Sequence, residues 1–220
     1  MDEDLKDLHL LPLPETVLFP GMNLPILVYE EIYKKLIRDC VNEKRTLGII
    51  LFETDKLKEV GTIAEIIHTE DSEDDGINVL LEGKERFKIN CVTEKEPYLC
   101  SSVEPYTDIE VEIGKQEKQD LKTIKQMTKE ALTIYDSISK KKHSKKVKLP
   151  TDPNELLFLV AGNLTCTPAE KQSILETKSI PERIKKIAPL LNEELTKLNA
   201  TLENKSTKDI VSKNGNLEDY

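Results

Sequence analysis

Asp71-x-Glu73-x-Asp75-Gly76, with Glu82 at the twelfth place, sets carboxylates where a calcium-binding loop would carry them and a glycine where such a loop turns. That chemistry needs a helix on either side. Here Val60–Ile67 and Ile77–Leu81 have the β-branched, alternating character of strands, and Asn78 fills the normally apolar eighth place. Asp75-Gly76 is also a hairpin signal, so the sequence predicts an acidic hairpin tip. Gly76 and Gly83-Lys84 lie too far apart for a phosphate loop, and Glu85 stands where Ser or Thr would meet magnesium. His9, His68 and His143 are scattered, with no GxSxG, HExxH or Cys–His signature nearby. Cys40, Cys91, Cys100 and Cys166 share no metal-ligand spacing and read as reduced structural thiols. No catalytic residue, metal or cofactor is expected, and no enzyme.

Two stretches could bind rather than react. Lys140–Lys148 is the basic cluster of the chain and could hold RNA or another polyanion, but no aromatic residue interleaves for base stacking. A solvated helix connection is the simpler reading. The second stretch is Leu11–Glu30, LPLPETVLFPGMNLPILVYE, in which the apolar runs Leu10–Leu13 and Leu24–Tyr29 flank Phe19-Pro20-Gly21-Met22. Proline fixes one φ and glycine accepts a positive one, so the chain can reverse sharply there. The corner suits gripping or packing, because nothing in it can act as nucleophile or base.

Elements must position that corner. Of 220 residues, 38% are hydrophobic and 33% charged, the balance of a soluble globular chain. No apolar run reaches the roughly 20 residues a membrane helix needs, and the acidic N-terminus is unlike a signal peptide, so the cytoplasm is the expected address. Residues 1–110 hold 12 basic and 25 acidic side chains, and residues 111–220 hold 20 and 16. The acidic front half makes nucleic acid an unlikely partner.

Short β-type runs at Leu47–Phe52, Val60–Ile67, Ile77–Leu81, Arg86–Val92 and Tyr98–Tyr106 predict a small, strongly curved barrel. A helix over Glu31–Glu43 interrupts them, its apolar pairs recurring every four positions. Leu121 to Ile138 steps by three and four as a long amphipathic helix. Asp152, Thr167 and Ser179 each precede a Glu by three residues with a proline between, predicting three more helix starts. Pro189 predicts a kink within the last of them. The expected organisation is a β-rich lobe over residues 1–110, a helical bundle over 111–202 and a disordered tail over 203–220.

In order along the chain, LPLP-x-x-V-LFPG-x-x-LP-x-x-VYE is followed by Glu59–Ile66 (EVGTIAEI), Gly83-x-x-Arg86-Phe87-Lys88-Ile89 and Pro97-Tyr98. Lys171-Gln172-x-Ile174-Leu175-Glu176 and Glu182-Arg183-Ile184 complete the set. The ordered set resembles the Lon substrate-binding (Lon N-terminal) domain family across about Leu8–Leu198, and looks like its stand-alone bacterial form without ATPase and peptidase modules. Many of those forms carry a His-Ile-Phe-Glu-type run and an Arg before the next Tyr, where this chain has Leu27-Val28-Tyr29-Glu30 and Ile32. The resemblance implies an α+β fold, a PUA-like curved β-sheet or pseudo-barrel lobe followed by an α-helical bundle. It also implies recognition of protein substrates for degradation, unfolded or degron-bearing, with polypeptide clients or a protease partner as the expected partners. An exposed apolar groove between the lobes is the expected means, with Phe19, Met22, Leu24, Ile26 and Tyr33 as the candidate peptide-binding residues.

Overall fold

The computed structural model describes residues 7–94, 97–139 and 148–214. The elements run β1 (Leu8–Pro14), β2 (Asn23–Val28), α1 (Glu31–Glu43), β3 (Leu47–Glu53), β4 (Lys56–Leu57), β5 (Val60–Asp71), β6 (Ile77–Glu94) and β7 (Cys100–Pro105). Four helices follow: α2 (Lys115–Ser139), α3 (Pro153–Asn163), α4 (Pro168–Leu175) and α5 (Ile180–Asn214). The fold is α+β. Two compact units divide it: the first takes the chain up to Val111 together with Leu157–Ser179, the second Glu112–Leu156 and the chain from Ile180 on.

In the first unit β1, β7, β6, β5 and β3 form a ring, closed by the parallel pairing of β1 with β3 (Leu10↔Gly48 to Pro14↔Phe52). All other pairings are antiparallel. So small a ring needs sharply bent strands, and the bends sit at register shifts between Thr62/Ala64, Ile66/His68, Ile89/Cys91 and Val92/Glu94. It also needs room at its centre. Buried Phe87 fills that space because Gly48 and Gly61 have no side chain: a Cβ on Gly61 would stand 2.6 Å from the Phe87 ring and 2.5 Å from the Ile49 carbonyl oxygen.

The acidic stretch is a hairpin tip. Asp71 pairs with Ile77 across it, the Ser72 N–H donates to the Gly76 carbonyl at 2.8 Å, and Asp75 takes φ 61°. Lys34 of α1, almost fully buried, donates to the Asp75 carbonyl at 2.9 Å and its carboxylate at 3.2 Å, and meets Glu31 at 2.5 Å. The Lys34 ammonium thus ties the hairpin tip to α1.

Gly83 does not end a strand, as the separate runs Ile77–Leu81 and Arg86–Val92 suggested; β6 passes through it unbroken. The reason is the Phe19–Met22 corner, which docks there backbone to backbone. The Gly21 N–H donates to the Gly83 carbonyl at 2.8 Å and the Gly83 N–H to the Met22 carbonyl at 2.9 Å, continuing the β2–β6 ladder.

Leu157–Ser179 belongs with the sheet through specific contacts. Phe158 packs on Phe19 with centroids 5.9 Å apart, and a Cβ on Gly162 would lie 2.9 Å from the Met22 methyl. Gln172 donates to the Val60 carbonyl at 2.9 Å. Arg86, buried, donates to the Leu175 and Thr177 carbonyls at 2.6 and 2.8 Å, pairs with Asp108, and stacks against Tyr106 and Phe158. The Leu175 carbonyl ends the last turn of α4, where helix acceptors otherwise lack partners, and Thr177 follows just beyond it. Thr167 and Glu170 form the reciprocal capping box at its other end.

In the second unit α2 and α5 pack together, burying Ile124 and Ile134 on one and Ile184, Ile187, Leu191 and Leu195 on the other. Pro189 lies inside α5, which remains one helix across it. The helix also continues beyond Glu203 to Asn214, and residues 215–220 of the expected tail lie outside the described residues.

Candidate functional site

An apolar cleft of about 790 Å³ opens on the first unit, within the size range of ligand-binding pockets. Its walls come from β1 (Leu11–Pro14), β2 (Ile26–Val28), Tyr33 of α1, Phe52 of β3 and Leu57 of β4, with Val92 and Leu99 behind. Leu27, Phe52 and Val92 are each about two-fifths exposed (43%, 40% and 38%), so the apolar surface is open to solvent. Glu30 and Asp55 are the charged residues of the lining. Burial first, then the Glu30 carboxylate, hold the Tyr33 phenol above its usual pKa, so it stays a neutral donor at physiological pH.

The rims are two strand edges. Beyond Leu10, whose N–H donates to Leu99 at 2.8 Å, β1 pairs with β3 on one side only. Pro12 and Pro14 share the parity of Leu10 and therefore point away from β3. β2 pairs with β6 alone, and Pro25 stands opposite in parity to Met22, whose carbonyl faces β6. Proline, lacking an N–H, fits only such unpaired sides.

Of the sequence candidates, Ile26 and Tyr33 line this cleft. Phe19 does not: it is 1% exposed, held against Phe158, with the Leu18 carbonyl beside it accepting from Thr62 Oγ1 at 2.6 Å. Its bulk anchors the corner from inside, as the size of an aromatic ring favours. Met22 and Leu24 are half-buried, packed on the core outside the lining. Leu27 and Phe52 escaped the sequence reading. The signal for Leu27 was there: Ile26-Leu27-Val28 is apolar on both faces of a strand, and one face must lie outside the core.

Other titratable clusters are structural. His9 is buried, its ring 4.8 Å from that of Tyr98, with Cys40 Sγ 3.8 Å from Nδ1 and Arg45 Nη1 3.5 Å from Nε2. Burial, then Arg45, lower its pKa. Asp7, His9 and Cys100 have ligand-type atoms within 4.8 Å of one another, but Arg45 also donates to the Asp7 carbonyl at 2.8 Å, so a guanidinium already occupies this corner. Lys84 pairs with Glu82 and Glu65 at 2.6 and 2.9 Å, and His68 is exposed on β5. His143 and the basic cluster up to Val147 lie outside the described residues; Lys148 is exposed. No described helix is long and apolar enough to cross a membrane.

Burial pushes the Cys40 thiol from an ordinary 9.0 up to about 12. Native protein treated with iodoacetamide at pH 8 should therefore label exposed Cys91 and spare Cys40, as peptide mass spectrometry would show; equal labelling would contradict the assignment. Because the folded pKa is the raised one, this group's contribution to stability is whole below pH 9 and falls as pH rises towards about 12.

Residues 7–193 match the family model of the ATP-dependent protease La (LON) substrate-binding domain, and the chain belongs to that family. Among curated relatives, the Lon protease of Parabacteroides distasonis is 30% identical across 96% of this chain and 28% of its own length. That of Anaeromyxobacter dehalogenans is 28% identical over 89% and 24%. The chain thus spans about a quarter of the relatives it matches. Two solved structures share the fold: a Lon N-terminal domain protein from Xanthomonas campestris (TM-score 0.62, 20% identity, 84% of this chain and 98% of that one) and the N-terminal domain of Mycobacterium avium complex Lon protease (0.68, 22%, 85% and 98%).

Proposed function

We propose that the chain is a non-enzymatic polypeptide-binding module that takes unfolded or degron-bearing proteins into the cleft of its first unit and serves proteolysis by a partner protease. Membership of a substrate-binding family supports the role. The observation that carries it is the open cleft whose wall exposes Leu27 and Phe52 beside Ile26 and Tyr33. Exposed apolar surface of this kind gains roughly 25 cal/mol for each Å² a partner covers. Phe19 and Met22 serve by fixing β2, and contact with the client falls to Ile26, Leu27, Tyr33 and Phe52.

The test is titration with fluorescently labelled, reduced and carboxymethylated α-lactalbumin, a chain that stays unfolded. Leu27→Asp and Phe52→Asp alter exposed side chains and should leave the circular dichroism spectrum intact while weakening binding about tenfold or more. Unchanged affinity in folded variants would remove the cleft from the mechanism.

A further inference from the structure

We propose that the cleft selects segments in which a bulky apolar residue is flanked by lysine or arginine; this deepens the polypeptide-binding reading above and rests on it. The charged residues of the lining are two carboxylates, Glu30 and Asp55, and no basic residue joins them. Among the described residues neither side chain makes an ion pair or hydrogen bond, so both are free to meet an incoming cation. Glu30 is the N-cap residue of α1 through its backbone carbonyl, and its carboxylate makes no capping hydrogen bond.

Asp55 is held in place by an unusual turn. Thr54 and Asp55 join β3 to β4 as a two-residue loop, with φ 53° and 59°, and Glu53 pairs with Lys56 across it. Positive φ at both central residues marks a turn that ordinarily takes Asn-Gly. A β-branched threonine there is strained, and strain of this sort gathers where a side chain has to be aimed. Its product is a carboxylate on the cleft rim. The field around it has the same sign, since residues 1–110 carry 25 acidic against 12 basic side chains. Apolar walls give affinity without sequence preference; the two carboxylates add one, favouring cations beside the buried side chain and repelling acidic flanks.

The experiment compares three labelled peptides of one length, sharing a Phe-Leu-Phe centre in Gly/Ser, with lysine, serine or glutamate flanks, by fluorescence anisotropy on the full chain. The lysine-flanked peptide should bind roughly tenfold tighter than the glutamate-flanked one at low salt, the ratio shrinking as salt rises. In the double variant Glu30→Gln/Asp55→Asn the ratio should approach one; asparagine tolerates the left-handed backbone at position 55. Equal binding of all three by the unaltered protein, or a preference that survives in the double variant, overturns the selectivity and leaves the apolar cleft standing. Failure of every peptide to bind, the serine-flanked one included, overturns both.

Discussion

Arg86→Met is expected to remove about 3–5 kcal/mol of folding stability, seen as a lowered urea midpoint. The side chain is buried and its fork meets the Leu175 and Thr177 carbonyls at 2.6 and 2.8 Å and the Asp108 carboxylate. Methionine keeps much of the packing against Tyr106 and Phe158 but supplies no donor, so the buried carbonyls lose these hydrogen bonds and Asp108 loses the guanidinium beside it. Arg86→Lys should recover only part of the loss, because a single ammonium cannot reproduce a planar fork. Hydrogen exchange should then quicken first in Leu157–Ser179, the segment the fork secures. A loss below about 1 kcal/mol would mean that α4 is held chiefly by its other contacts, the Gln172–Val60 hydrogen bond and apolar packing.

Gly83→Ala should be the next most damaging, at about 1–3 kcal/mol and towards the upper end of that range. A Cβ there would stand 2.4 Å from the Phe19 carbonyl oxygen and 3.1 Å from Leu18 Cγ, and the obstructing atom is backbone, which cannot swing aside. The two hydrogen bonds that dock the corner would lengthen together. Gly21→Ala is the informative control. Gly21 has φ +74° and a methyl added there would meet nothing within 4 Å, so its cost is the left-handed backbone only, roughly 1–2 kcal/mol. Thermal or urea unfolding of both variants decides the matter, since equal losses would show that close approach at Gly83 adds nothing.

Local order was readable where a single element carries its own signal. The helix Glu31–Glu43 matches its apolar spacing at both ends, although its last turn is closed by Lys44 in the left-handed region, where glycine is usual. The Thr167 cap and the Asp152 carboxylate accepting from the Glu155 N–H at 2.9 Å were likewise written in the residue order. What escaped depends on partners far away in the chain. Leu156–Ala161 is apolar on nearly every side, which says that the helix is buried but not that its end belongs with the sheet. Gly83 looked like a break because its true partner, the Phe19 carbonyl, is more than sixty residues earlier. The cleft was half legible for the same reason: Ile26 and Tyr33 sit on amphipathic elements, whereas Phe52 follows a fully buried run and reveals its exposure only once β4 turns back on β3.

Pro12, Pro14 and Pro25 have a consequence for how molecules of this kind behave when concentrated. Along Leu11–Pro14 both outward-facing positions, Pro12 and Pro14, offer a carbonyl but no N–H, and along β2 Pro25 removes the N–H between those of Asn23 and Leu27. A visiting strand therefore finds no donor on the β1 rim and a gap in the middle of the β2 rim, which disfavours zipping two copies into a continuous ribbon. Greasy side chains stay available for a client while the backbone beside them is a poor template for a second strand.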